Sequence, residues 1–203
     1  MPPVAVPPAP LGAPPPPSPE QLRDAYGQVV PDLLFRRMRV LLCGINPSLW
    51  SGYAGYHFAR PGNRLWPSLH EAGFTPRRLH PAELDALREA GIGITNLVGR
   101  ATARADELGD AEIRAGRDRL ESVARRWRPA WVAVLGLGAY RVAFTDRTAS
   151  VGRQGRTVGG RPLWLLPNPS GLNAHYSQAA LSAAFAELRR ALDRSHVPPL
   201  SGQ

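Results

Sequence analysis

Two short segments hold the residue types that could do chemistry. One reads Gly44-Ile-Asn-Pro-Ser48 and continues to Gly55-Tyr-His-Phe-Ala-Arg-Pro-Gly-Asn63; the other reads Pro167-Asn-Pro-Ser-Gly-Leu-Asn-Ala-His175. In each, Asn-Pro imposes an extended, turn-initiating backbone, and the glycines let main chain come close to a ligand. The first segment carries no carboxylate. Its amide, hydroxyl, imidazole and aromatic groups suit hydrogen bonding, orienting and stacking. Either Asn-Pro pair alone reads equally well as a plain turn. Two of them at equivalent places in the chain point to one shared site.

The elements around these segments must be strands and helices in alternation. Val40–Cys43, Gly93–Val98, Trp131–Leu135 and Leu163–Leu166 are compact apolar runs bounded by Gly or Pro, the pattern of buried strands. Between them, helices are predicted at Arg64–Ala72, Pro81–Glu89, Asp110–Trp127 and Gly138–Phe144, with a last one at Tyr176–Leu192. That order implies right-handed βαβ crossovers: an α/β, three-layer αβα fold around a parallel sheet of about four strands. Ligands of such sheets bind at the carboxyl ends of strands, so the loops after Cys43, Leu97 and Leu166 are the place to look. Residues 1–19 form a Pro/Ala-rich tail holding ten of the 22 prolines, expected to be disordered; 20–195 form the folded domain and 196–203 a short tail. Ser18, Pro19 and Glu20 read as a capped helix start.

Composition narrows the chemistry. In 203 residues there are 25 basic and 16 acidic groups, a net charge of +9, which predicts a polyanionic partner. Every basic residue is Arg. Without Lys there is no Schiff base, no P-loop lysine and no anchor for pyridoxal phosphate. The lone Cys43 rules out internal disulfides and four-Cys zinc or iron–sulfur sites, and suggests a reducing compartment. No apolar run reaches the roughly 18 residues of a membrane span, and no signal pattern opens the chain; a cytoplasmic protein without membrane contact is expected. Gly136-Leu-Gly-Ala-Tyr140 hints at nucleotide binding but lacks the third Gly and a following acid.

Four motifs in order carry a family resemblance. Gly44-Ile-Asn-Pro, then His57-Phe-Ala with Pro61 and Asn63 to Trp66, then Gly93-Ile-Thr-Asn-Leu-Val98, then Leu166-Pro-Asn-Pro-Ser-Gly-Leu172 resemble the mismatch-specific uracil/thymine DNA glycosylases of the uracil-DNA glycosylase superfamily, over about residues 38–193. The resemblance implies a monofunctional enzyme that flips a mismatched or damaged base from duplex DNA and hydrolyses its N-glycosidic bond, starting base excision repair. It implies no cofactor and no metal, and a monomer. Asn46 matches the water-positioning residue, which as an amide can orient water but not deprotonate it. Phe58 matches the stacking aromatic, with burial in the core as the alternative. Ile45, Ser48, Asn96 and Asn168 match base-contacting positions. Ser48 stands where strict uracil enzymes have a bulky Tyr, leaving room for thymine or ethenocytosine. Asn168 stands where they have His. Ser170, Gly171, Leu172 and Asn173 match the loop that wedges into the vacated stack, although the family's Ser-Arg is replaced by Asn173 and Ala174.

Two assignments come from the residues around these motifs. Asp106, in Ala105-Asp-Glu-Leu108, is either a second catalytic carboxylate or a cap of the following helix. Arg141 to Arg161 contains five Arg against the single acid Asp146, in a Gly-rich stretch expected to be flexible; Arg153 and Arg156 are its candidates for phosphate contact. A catalytically weak lesion- or DNA-binding module on the same fold is the competing reading.

Overall fold

The computed structural model describes residues 14–171 and 175–196. Three strands are buried along their whole length and apolar except for Thr95 and Asn96: β1 (Val40–Gly44), β2 (Ile92–Asn96) and β3 (Trp131–Leu135). Side chains alternate between sheet faces, so one strand feeds two cores. Leu42, Ile94, Ala133 and Leu166 pack on one face with Trp66, Phe185 and Leu188. Leu41, Cys43, Val132, Val134 and Leu165 pack on the other with Leu120, Ala124 and Tyr140. The first layer belongs to α3 (Leu65–Glu71) and α7 (Gln178–His196), the second to α5 (Asp110–Trp127) and α6 (Leu137–Ala143). The remaining helices are α1 (Pro19–Asp24), α2 (Leu49–Ala54) and α4 (Leu84–Glu89). The Ser18 capping box is present, its hydroxyl accepting from Gln21 N while the Gln21 side chain accepts from Ser18 N.

The sheet runs β2-β1-β3-β5-β4 and is parallel except for its last pair. It has five strands, one more than the apolar runs predict. The additional strand is β4 (Gly152–Val158), antiparallel to β5 (Arg161–Leu166), within the stretch expected to be a flexible loop. Gly159 and Gly160, with φ of 56° and 74°, supply the two left-handed positions of a tight hairpin turn. As an edge strand β4 is mostly exposed, so its Gly and Arg residues meet water rather than core. That polarity is why it does not read as a strand. α2 is also additional: Ser48 caps its start and Gly55, at φ 72°, closes it. Among the described residues no helix is long and apolar enough to cross a membrane.

Candidate active site

Gly44 and Asn96 end their strands side by side, in register. The chain then keeps pairing: Leu97 N donates to Gly44 O, Val98 N to Ile45 O, and Thr102 N to Pro47 O. Two irregular loops are thereby held like strands. They enclose a cavity of about 130 Å³ whose wall includes Asn46, Ser48, Phe58, Asn96 and Asn168. Of the base-contacting assignments all five, Ile45 included, come together here with Asn46.

Asn46 sits with its amide nitrogen over three acceptors: Pro47 O at 3.1 Å, Arg100 O at 3.1 Å and Thr102 Oγ1 at 2.7 Å. Carbonyls only accept, and Thr102 Oγ1 spends its own proton on Arg104 O at 2.7 Å. The nitrogen must therefore point inward to the loop. The amide oxygen is left on the cavity side with no hydrogen-bond partner among the described residues.

Phe58 adopts φ 53°, a left-handed conformation that a bulky residue rarely takes. Trp66 Nε1 holds it there by donating to Phe58 O at 3.0 Å. The ring edge then lies over Gly44, where a Cβ would come within 3.0 Å of Phe58 Cζ and 2.3 Å of Asn96 Oδ1. Only a strand end without a side chain accommodates both groups. Phe58 is thus half-buried: its ring packs against the first core layer and also walls the cavity.

Asn96 is 4% exposed and donates from Nδ2 to His57 Nδ1 at 3.0 Å. His57 Nε2 in turn donates to Pro31 O at 3.0 Å. Burial pushes the imidazole below its ordinary pKa, only partly offset by the Asp32 carboxylate, so the ring is neutral at pH 7. Behind Asn96, Arg119 donates to its carbonyl at 2.9 Å and pairs with Asp32 at 2.5 Å, while Thr95 Oγ1 donates to Asp32 at 2.8 Å. Ser48 commits its oxygen to the α2 start, accepting from Ser51 N at 3.2 Å, and presents only a small surface to the cavity.

On the far wall, Asn168 Oδ1 accepts from Ser170 N at 2.9 Å and bends the loop after β5. Arg64 fastens that loop, donating to Ser170 O at 2.9 Å and Tyr176 O at 2.5 Å, while its own N–H donates to Pro169 O. Gly171 runs close along Gly62 O, at a distance that excludes a Cβ. Leu172 and Asn173 lie outside the described residues.

Other assigned residues are not brought to this cavity. Asp106 is exposed on a single 3₁₀ turn, Ala105–Glu107, and forms an ion pair with Arg104 at 2.5 Å. It borders a wider cleft of about 650 Å³ that adjoins the cavity and shares Ile45, Arg104, Ala105, Asn168 and Ser170 with it. Arg153 lies on β4 with its guanidinium 5.4 Å over the Trp131 ring, drawn toward the start of β3, the sheet end opposite the cavity. Arg156 donates to Phe144 O at 3.0 Å and faces Asp146 at 3.8 Å. The cationic side chains on the cavity wall are instead Arg60 and Arg104, both exposed residues. Thr102, Arg64 and Arg104 are the members that sequence reasoning missed. Their parts depend on contacts between distant segments, which leave no local signature.

The cavity lies at the carboxyl ends of an α/β sheet, with an oriented amide, an aromatic wall and no carboxylate among its described lining residues. The family model of the uracil DNA glycosylase superfamily matches residues 31–193, well over half of the chain, and the chain belongs to that superfamily. Among solved structures, it is similar to a solution NMR structure of a candidate uracil DNA glycosylase from Methanosarcina acetivorans. The match has a TM-score of 0.57 and 19% identity, and covers 81% of this chain and 99% of that one. That likeness extends to the fold.

Proposed function

We propose that the protein is a monofunctional DNA glycosylase that removes uracil from mismatched or damaged duplex DNA by hydrolysis. The observation that carries this reading is the Asn46 amide, whose nitrogen is held by three acceptors so that its oxygen faces a cavity walled by Phe58 and Asn96. A flipped base stacks on Phe58 and meets the Asn96 amide with its hydrogen-bonding edge. Asn46 Oδ1 accepts a hydrogen bond from a water and aims it at the sugar C1′. The water oxygen bonds to C1′ as the C1′–N bond breaks; the bonding pair leaves with the base, and the water's surplus proton passes to solvent. With no lysine to form an imine, the product is an intact abasic site.

Duplex DNA is drawn to the basic face, with Arg60 and Arg104 at the cavity. The small Ser48 leaves room beside the base, which extends the substrate range to the 5-methyl group of thymine. One observation favours the competing reading of a weakly catalytic lesion-binding module: no carboxylate lines the cavity among the described residues, and the neutral imidazole that does, His57, spends its lone pair on Asn96. Release of free uracil from a G·U duplex over many turnovers decides between them, with Asn46→Ala as control. The glycosylase reading expects turnover that this variant loses while still binding the duplex; binding without release in the wild type would support the module.

A further inference from the structure

His57 is 5% exposed and forms a partition between two cavities. On one side is the candidate active site. On the other is a separate space of about 220 Å³ bordered by Pro31, Asp32, Tyr56 and Arg88. Neither ring nitrogen is optional. Pro31 O can only accept, so Nε2 carries the hydrogen; Nδ1 then offers a lone pair, and only the NH2 end of Asn96 can face it. The amide is thereby turned so that Oδ1 lies over Gly44 on the cavity side, with no hydrogen-bond partner among the described residues.

We infer that His57 is the positioning residue that fixes which end of the Asn96 amide meets the base, and so sets selectivity for bases with an N–H at that edge, uracil and thymine, over cytosine. This rests on the glycosylase reading above. An imide N–H needs an acceptor opposite it, whereas cytosine presents a lone pair at the same position and would face Oδ1 lone pair to lone pair. A doubly protonated His57 would aim an N–H at the Asn96 NH2. The amide must then turn over, and the site presents a donor where it held an acceptor. The charged or titratable groups around the ring are Asp32 from the segment before β1, Arg119 from α5, and Tyr56 and Arg88 across the second cavity. Asp32 and Arg119 form an ion pair at 2.5 Å; Asp32 favours the protonated ring and Arg119 opposes it more weakly.

The test has two arms on the full chain. In the first, ¹⁵N NMR follows the His57 ring and the Asn96 side-chain NH2 from about pH 8 to about pH 4. At the upper limit the ring should be the Nε2–H tautomer, and the Asn96 resonances should move with the His57 midpoint. An Nδ1–H tautomer, or Asn96 resonances that ignore the titration, would overturn the inference whatever the enzyme's activity. In the second, single-turnover uracil release is measured against pH. The wild type should lose about tenfold per pH unit below that midpoint. His57→Gln can still accept from Asn96 and donate to Pro31 but has no proton to gain, so it should show a lower plateau and no such acid limb. The same limb in this variant sinks the inference; no uracil release from the wild type at any pH sinks the glycosylase reading alone. If His57→Gln fails to fold, the wild-type NMR arm still decides.

Discussion

The two Asn-Pro loops look alike in sequence and are built for opposite ends. At the end of β1, Asn46 gives its nitrogen to the scaffold and keeps its oxygen for the cavity. At the end of β5, Asn168 gives its oxygen to the scaffold, through Ser170 N, and shapes a turn. On the glycosylase reading the first amide orients a water, while the second shapes a loop that also lines the cavity. Which end of the group is tied down decides the task, and that is set by what lies nearby: three convergent acceptors from a neighbouring loop at Asn46, a local N–H at Asn168.

The largest effect that separates them is on the chemical step. Asn46→Ala should lower single-turnover uracil release by about 10²–10⁴-fold, the range for removing a group that handles the reacting proton or water. Asn168→Ala should lose about tenfold or less, because a turn relaxes where an oriented water is lost. Equal losses would erase the distinction. Next is the floor that both Asn96 and Phe58 depend on. Gly44→Ala places a Cβ against Asn96 Oδ1 and the Phe58 ring, and should reduce release on the order of tenfold to a hundredfold while costing about 1–3 kcal/mol of stability, read by urea unfolding.

A pair of matched substitutions sharpens the contrast further. Asn168→Asp keeps the oxygen that accepts from Ser170 N, so the Ser170 amide should stay protected in hydrogen exchange. Asn46→Asp puts oxygen against the Pro47 and Arg100 carbonyls and should cost about 1–3 kcal/mol. The smallest effect concerns the rim. On the glycosylase reading, Arg60→Ala should reduce the salt slope of duplex binding by about 0.9 and Arg104→Ala by less, since Arg104 is already paired with Asp106, whereas Arg153→Ala should leave it unchanged because its guanidinium is held over Trp131. A lower slope for Arg153→Ala would place the DNA path along β4 instead.

Much of this was legible in the sequence, and the exceptions share a cause. β1, β2, β3 and β5 read directly because a strand covered on both faces is a continuous apolar run. β4 did not, since an edge strand facing water has no reason to be apolar. The cavity residues Asn46, Phe58 and Asn96 were found through motif order. Their orientation was hidden, because it is imposed by Thr102, 56 positions from Asn46, and by His57, 39 positions from Asn96. Arg64 reaches 106 positions to Ser170 and carries no sign of it in its own surroundings. Asp106 reads in the sequence as either a catalytic carboxylate or a helix cap; the structure places it on a 3₁₀ turn, paired with Arg104, beside the cleft that adjoins the cavity.

The constrained backbone of Phe58 has a kinetic side. Its φ of 53° and its tether to Trp66 are established when the chain folds, before any base arrives. On the glycosylase reading, capture of a base therefore does not require this stretch of backbone to be ordered, a saving of about 1–2 kcal/mol per residue. A wall that does not yield also grips the excised base as firmly as the attached one. On the glycosylase reading, free base should then compete with the flipped base for the same wall, and added uracil should inhibit uracil release in steady-state assays.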